Sequence, residues 1–193
     1  MNKSRLLSSP VGLKLGFLAA LAFLISTSGC GTTIGLSSDR YMPKLDTAPL
    51  AKYSGKAIVM HNFENADNDT SFYLYHGQGR RYGGPVLTSY FWYCFKSTFT
   101  KLGVNVLDEA QAPTGTPALD VRLTHINEAG FTVVATVSGA TGQPPLQKEY
   151  SISGPPIADP KDQAALESRA YSMMTALFGA MVSDPQFQAV VAP

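Results

Sequence analysis

The chain has 193 residues, 45% of them hydrophobic and 15% charged, a length and balance that suit one domain with a real core. Fifteen Lys and Arg against fourteen Asp and Glu give a formal net charge of +1. No basic face is concentrated enough to suggest nucleic acid, and Cys30 and Cys94, the only cysteines, exclude a multiply bridged disulfide scaffold.

The first thirty residues read as an address. Lys3, Arg5 and Lys14 supply positive charge, and Leu15 to Ile25 is an unbroken run of apolar and small residues. Ser26, Thr27, Ser28, Gly29 and Cys30 follow. A basic start, an apolar run too short to span a bilayer comfortably and a small-residue zone predict a secretory signal peptide over residues 1–29. Ser28-Gly29 directly before Cys30 resembles a bacterial lipobox, which implies that Cys30 is acylated and becomes the mature N-terminus. An ordinary signal peptide with an incidental Cys30, or a transmembrane anchor, are the alternatives. Without residues 1–29 the chain keeps 164 residues, with 12 basic against 14 acidic side chains and a net charge of −2. No later apolar run approaches bilayer-spanning length, so membrane contact is expected through the lipid alone.

Residues 30–55 have no period, and Pro43 and Pro49 interrupt them. They are expected to form a flexible tether ahead of a single domain over residues 56–188. Lys56 to Phe63 alternates as a first strand, Glu64 to Thr70 is a polar turn, and Ser71 to His76 is a second strand. Gly77 to Gly84 (GQGRRYGG) reads as a flexible, positively charged loop. Pro85 then opens a helix that Gly103 closes. Its expected core face holds Leu87, Phe91, Trp92, Cys94, Phe95, Thr98, Phe99 and Leu102, with Tyr90, Tyr93 and Ser97 pointing away.

Val104 to Leu107 is a short strand. Leu119 to Ile126 alternates cleanly, with Leu119, Val121 and Leu123 inward and Asp120, Arg122 and Thr124 outward. Phe131 to Val137 and Leu146 to Ile152 continue a meander through two tight turns. Asp159 and Pro160 begin the last helix, whose stripe is Leu166, Ala170, Met173, Leu177 and Met181, and Pro185 stops it. The expected class is α+β: an antiparallel or mixed sheet of five to six strands with two helices packed on one face.

Motifs for chemistry are sparse. From Gly79 the sequence lacks the lysine and hydroxyl of a phosphate loop. Arg80 and Arg81 precede a helix start and form a candidate site for an anion or lipid headgroup. His61, His76 and His125 show no metal-ligand spacing, so no metal and no cofactor are expected; His61 and His125 read as core histidines on apolar strand faces. Cys94 reads as packing, not as a nucleophile. Asp108 and Glu109, being adjacent, point apart and do not suit paired acid–base work. No catalytic residues are expected. Tyr90 and Tyr93, with Arg80 and Arg81, are the candidate partner surface; the alternative for the tyrosines is cover by a tether, loop or second helix.

The strand KAIVMHNF, the helix entered at Gly84-Pro85 with Trp92 near its start, LDVRLTHI followed by FTVVATV, and the helix from Asp159 together resemble the ABC-type transport auxiliary lipoproteins. These are periplasmic partners of MCE-type lipid transporters. The outer-membrane lipopolysaccharide-assembly lipoprotein is similar in element order. The resemblance implies a non-enzymatic envelope lipoprotein, held by lipid at a membrane and docking on transporter subunits such as an MCE protein or a permease. Gly31 after the Cys resembles outer-membrane sorting. The alternative is a periplasmic lipid- or small-ligand-binding module lined by Phe91, Phe95 and Phe99.

Overall fold

The alternation of Leu119, Val121 and Leu123 becomes one buried face of a sheet, and the α-helices among the described residues pack on that side. The computed structural model describes residues 32–46, 48–65, 72–75, 78–83, 87–126, 130–139, 144–156, 158–159 and 161–193. In chain order the strands are β1 (Thr32–Gly35), β2 (Ala57–Met60), β3 (Glu64–Asn65), β4 (Phe72–Tyr75), β5 (Gln78–Gly83), β6 (Asn105–Leu107), β7 (Ala118–Ile126), β8 (Gly130–Ser138) and β9 (Leu146–Ser153). The α-helices among these residues are α1 (Leu87–Lys101), α2 (Gln163–Ser183) and α3 (Pro185–Val191). The fold is mixed α+β, as expected.

The main sheet has the order β6-β2-β7-β8-β9, with β3 also paired to β7. β2 runs parallel to both β6 and β7, and α1 lies on the path between β2 and β6 because parallel neighbours need a crossover. β7, β8 and β9 form the antiparallel meander. A register shift between Leu123 and His125 adds one residue to β7. That shift keeps Ile126 in the core although it lies an odd number of positions beyond Leu123, and it leaves His125 exposed, not buried as its strand pattern suggested. At the start of β8, a Cβ on Gly130 would meet the Ile152 carbonyl oxygen at 1.8 Å, so the close strand approach there requires glycine.

α1 ends as its sequence predicts. Gly103 takes φ +78°, and the Val104 amide donates back to the Phe99 carbonyl at 3.0 Å. α2 starts later than Asp159 suggested. Asp162 is its N-cap, accepting from the Ala165 amide at 3.0 Å, whereas Asp159 caps the turn before it through the Lys161 amide. All five expected stripe residues of α2 are buried, joined by Met174, Phe178 and Val182. α1 and α2 run in the same direction: Tyr90 faces Tyr171, while Phe95 and Phe99 both meet Phe178 edge-on at 5.1 and 4.9 Å.

Two expectations are corrected. GQGRRYGG is not a loop, because residues 78–83 form β5, the central strand of a separate three-stranded sheet β1-β5-β4. β4 therefore joins that sheet and not the main one. The expected tether is also structured. β1 pairs parallel with β5 from Thr32↔Arg80 to Gly35↔Gly83. Ile34, Leu36, Tyr41, Leu50 and Tyr53 are buried in the main core. Apolar side chains spaced irregularly along a chain give no period, yet each can fill a separate gap between helices.

Candidate functional site

Tyr93, Ser97 and Lys101 follow one another at i, i+4 and i+8, so they share a stripe along the outer side of α1. Tyr93 is 52% exposed. Trp92 is half-buried beside it, with the two rings edge-on at 5.1 Å. The Lys96 ammonium sits 5.0 Å from the Trp92 ring centroid, a cation–π pair at i, i+4. Two adjoining clefts of about 290 Å³ each share Asn62 and Trp92. One is completed by Phe63, Thr88, Ser89 and Tyr93. The other runs past Lys96 to Val106, Asp108 and Glu109. The indole Nε1 of Trp92 is occluded and lacks a hydrogen-bond partner.

Tyr90 does not belong to this surface. It is fully buried, edge-on to Phe91 and tilted against Tyr171, with Tyr41 against the same Tyr171 ring. Burial pushes its phenol far above the ordinary tyrosine range. The buried arc of α1 is rotated relative to the expected one, taking in Tyr90 and leaving Trp92 half out. The cause is the cover supplied by α2 and residues 38–41, which the sequence of α1 does not reveal.

Arg80 and Arg81 lie on β5, in register with Thr32 and Thr33 on one side and with Tyr73 and Phe72 on the other. Cys30, His76 and the residues just before α1 lie outside the described residues. Cys94 is buried on α1, where desolvation pushes its thiol up to about 12. At that value the thiolate is scarce at neutral pH, as packing demands and nucleophilic chemistry does not.

His61 is partly exposed, not a core histidine. Its Nδ1 lies 2.8 Å from Asp120 Oδ1 and its Nε2 3.9 Å from Glu109 Oε2. It stands just past the end of β2, where the chain leaves the strand, so the alternation no longer fixes its side. Among the described residues no group of three His, Cys, Asp or Glu is placed to hold a metal ion. Phe91, Phe95 and Phe99 are fully buried. Their rings touch Phe131, Phe63 and Phe178 at 4.9–5.3 Å, filling with side chains the space a ligand there would need.

A polar cluster that the sequence did not announce lies where α2 gives way to α3. Asp184 is 8% exposed and caps α3 through the Gln186 amide at 3.0 Å. It also accepts from the Tyr150 hydroxyl at 2.7 Å and the Lys148 ammonium at 2.8 Å. Desolvation acts to raise its carboxyl, but the donors from Lys148, Tyr150 and Gln186 outweigh it and hold the group below the usual carboxylate range. The Tyr53 hydroxyl donates to the Val182 carbonyl at 2.8 Å in the same region. The cluster is closed by its own partners and reads as a structural joint.

The molecule is thus a mixed α+β domain with an open sheet face, a covered core and one aromatic, lysine-bearing helix face. No family model matches the chain, and no curated protein sequence matches it. Among solved structures it is similar to protein XCC0632 from Xanthomonas campestris, of the DUF330 family, with a TM-score of 0.54 and 13% identity. That match covers 78% of this chain and 92% of the other. An uncharacterized protein is also similar, at a TM-score of 0.46 and 12% identity, over 77% of this chain and 97% of its own. At 13% identity the first likeness is one of fold.

Proposed function

We propose that this chain is a lipid-anchored bacterial envelope lipoprotein that acts as a non-catalytic docking component of a membrane lipid-transport complex, of the ABC-type transport auxiliary kind. The observation that carries this reading is the position of Cys30. It follows a basic start, an apolar run and Ser28-Gly29, and Gly31 alone separates it from the first strand. Two peptide units reach roughly 7 Å, so an acyl chain on Cys30 holds the folded part at the bilayer surface itself. Partner contact then falls to what faces the periplasm: the open sheet face of β7, β8 and β9, and the outer edge of β9, which among the described residues pairs with β8 alone. A strand paired on one side only offers unpaired backbone groups to a second protein.

Labelling cells with radioactive palmitate tests the anchor. The wild-type chain is expected to take up label and sediment with membranes, and Cys30→Ser to do neither. A pull-down from detergent-solubilised membranes tests the docking. Recovery of a permease, an ATPase or an MCE-type subunit supports it, recovery of lipopolysaccharide-assembly proteins moves the chain to that system, and recovery of lipid alone argues for carriage.

A further inference from the structure

We propose that the outward face of α1, together with Met42–Lys44 beside its C-terminal end, rests on an anionic bilayer surface and orients the domain on its anchor. The inference builds on the lipid-anchor reading above and adds which side of the domain meets the membrane.

The large hydrophobic side chains left exposed among the described residues are Met42, at 72%, and Tyr93, at 52%. Both border this one helix. Tyr93 is on its outer stripe, and Met42 precedes Pro43, whose carbonyl accepts from Lys101 Nζ at 2.7 Å. α1 contains no acidic residue, and its charges are Lys96 and Lys101. Lys44 is exposed next to Pro43. Trp92 lies beneath Lys96 at the edge of the strip. Amphipathic rings beside lysines, whose long apolar stems carry a charged tip, suit the headgroup level of a bilayer. The strip ends at the cleft beyond Trp92, where Asp108 and Glu109 stand. The open sheet face has the opposite balance, with Glu64, Asp120 and Glu149 exposed against Arg122. An anionic surface therefore attracts the helix side and repels the sheet side.

The path of residues 37–41 agrees with this arrangement. Ser37 bonds Tyr171 and the Tyr41 hydroxyl reaches Thr175, so residues 37–41 run along α2 towards its C-terminal end. Because α1 is parallel to α2, this path brings Met42 beside the C-terminal end of α1, where Lys101 holds the Pro43 carbonyl. The lipid supplies residence, and the strip supplies orientation.

Trp92 is the only tryptophan, so its emission reports this face directly. The acylated mature protein is incorporated into phosphatidylethanolamine–phosphatidylglycerol 3:1 vesicles, with and without brominated acyl chains. The expected result is a blue-shifted emission quenched at least twofold by the brominated lipid. Phosphatidylcholine vesicles, or the double variant Lys96→Glu/Lys101→Glu, are expected to remove most of that quenching while the protein still floats with the vesicles. Flotation with unquenched, unshifted Trp92 overturns this inference and leaves the anchor standing. Loss of flotation removes the anchor reading and this inference with it. Unchanged quenching in the double variant, combined with loss of a protein partner from the pull-down, makes the strip a protein interface and also overturns it.

Discussion

Residues 32–53 and the meander β7–β9 both bury side chains in one core, and they do so by opposite means. The meander is regular. Its ladders run unbroken over eight or nine residues, apart from the single shift at Leu123, and its buried positions alternate. Beyond the four-residue ladder of β1, the N-terminal strap has short 3-10 turns and binds by isolated anchors: Ile34, Leu36, Tyr41, Leu50 and Tyr53 inside, with polar ties from Ser37 and Arg40 to α2. A ladder distributes stability along a strand, whereas a strap concentrates it in a few side chains. Irregular sequence is therefore no sign of a dispensable segment.

Truncation of one core residue in each region tests that contrast most severely. Phe131→Ala in the meander, which loses a ring 5.3 Å from Phe91, is expected to cost about 3–5 kcal/mol in urea unfolding. Ile34→Ala in the strap is expected to cost about 2–4 kcal/mol in the same single transition. An unchanged urea midpoint for Ile34→Ala would return the strap to a loosely attached tether.

The two regions meet at Asp184, which makes the next largest effect. Asp184→Asn weakens two charge-assisted bonds and an N-cap, with an expected cost of about 1–3 kcal/mol at pH 7. The carboxyl is held below its ordinary value. Its contribution is therefore fully present above the unfolded-chain value of about 4 and is lost as pH falls through the lower folded value. The gap between wild type and Asp184→Asn should close on acidification; a constant gap down to strongly acidic pH would mean that the carboxylate charge does not matter.

Smaller effects sharpen the picture of the strap. Tyr53→Phe removes only the hydroxyl that donates to Val182 and is expected to cost about 1 kcal/mol. Arg40 is exposed and pairs with Glu167 at 3.1 Å, so Arg40→Ala is expected to cost about 0–1 kcal/mol, and less in high salt. A larger loss there would show that the strap depends on charge more than on its buried side chains.

Legibility in the sequence followed the same division. The meander, α1 with its Gly103 stop and the α2 stripe are periodic and were readable, because burial on one side of a regular element imposes a repeat. The strap was not readable, since its anchors obey no repeat. β5 was hidden by its glycines and arginines, which local preference assigns to a loop and only pairing with β1 and β4 makes a strand. At the candidate face, the register of α1 put Tyr93 outside correctly but misplaced Tyr90 and Trp92. A helix with aromatics nearly all round has several plausible inner arcs, and only its neighbours choose among them. The Trp92–Lys96 pair at i, i+4 was available as a signal, whereas the Asp184 joint draws on three distant segments and was not.

The pairing of β1 with β5 also has a mechanical meaning. β1 is the first stretch beyond Gly31, and it is held parallel to β5 at four successive positions. A pull on the N-terminus, along the strand axis, loads those links together in shear and does not peel them open one at a time. A force that dragged at the residues before β1 would be shared by the whole short ladder and passed on to the buried Ile34, before it could unravel the chain from its end.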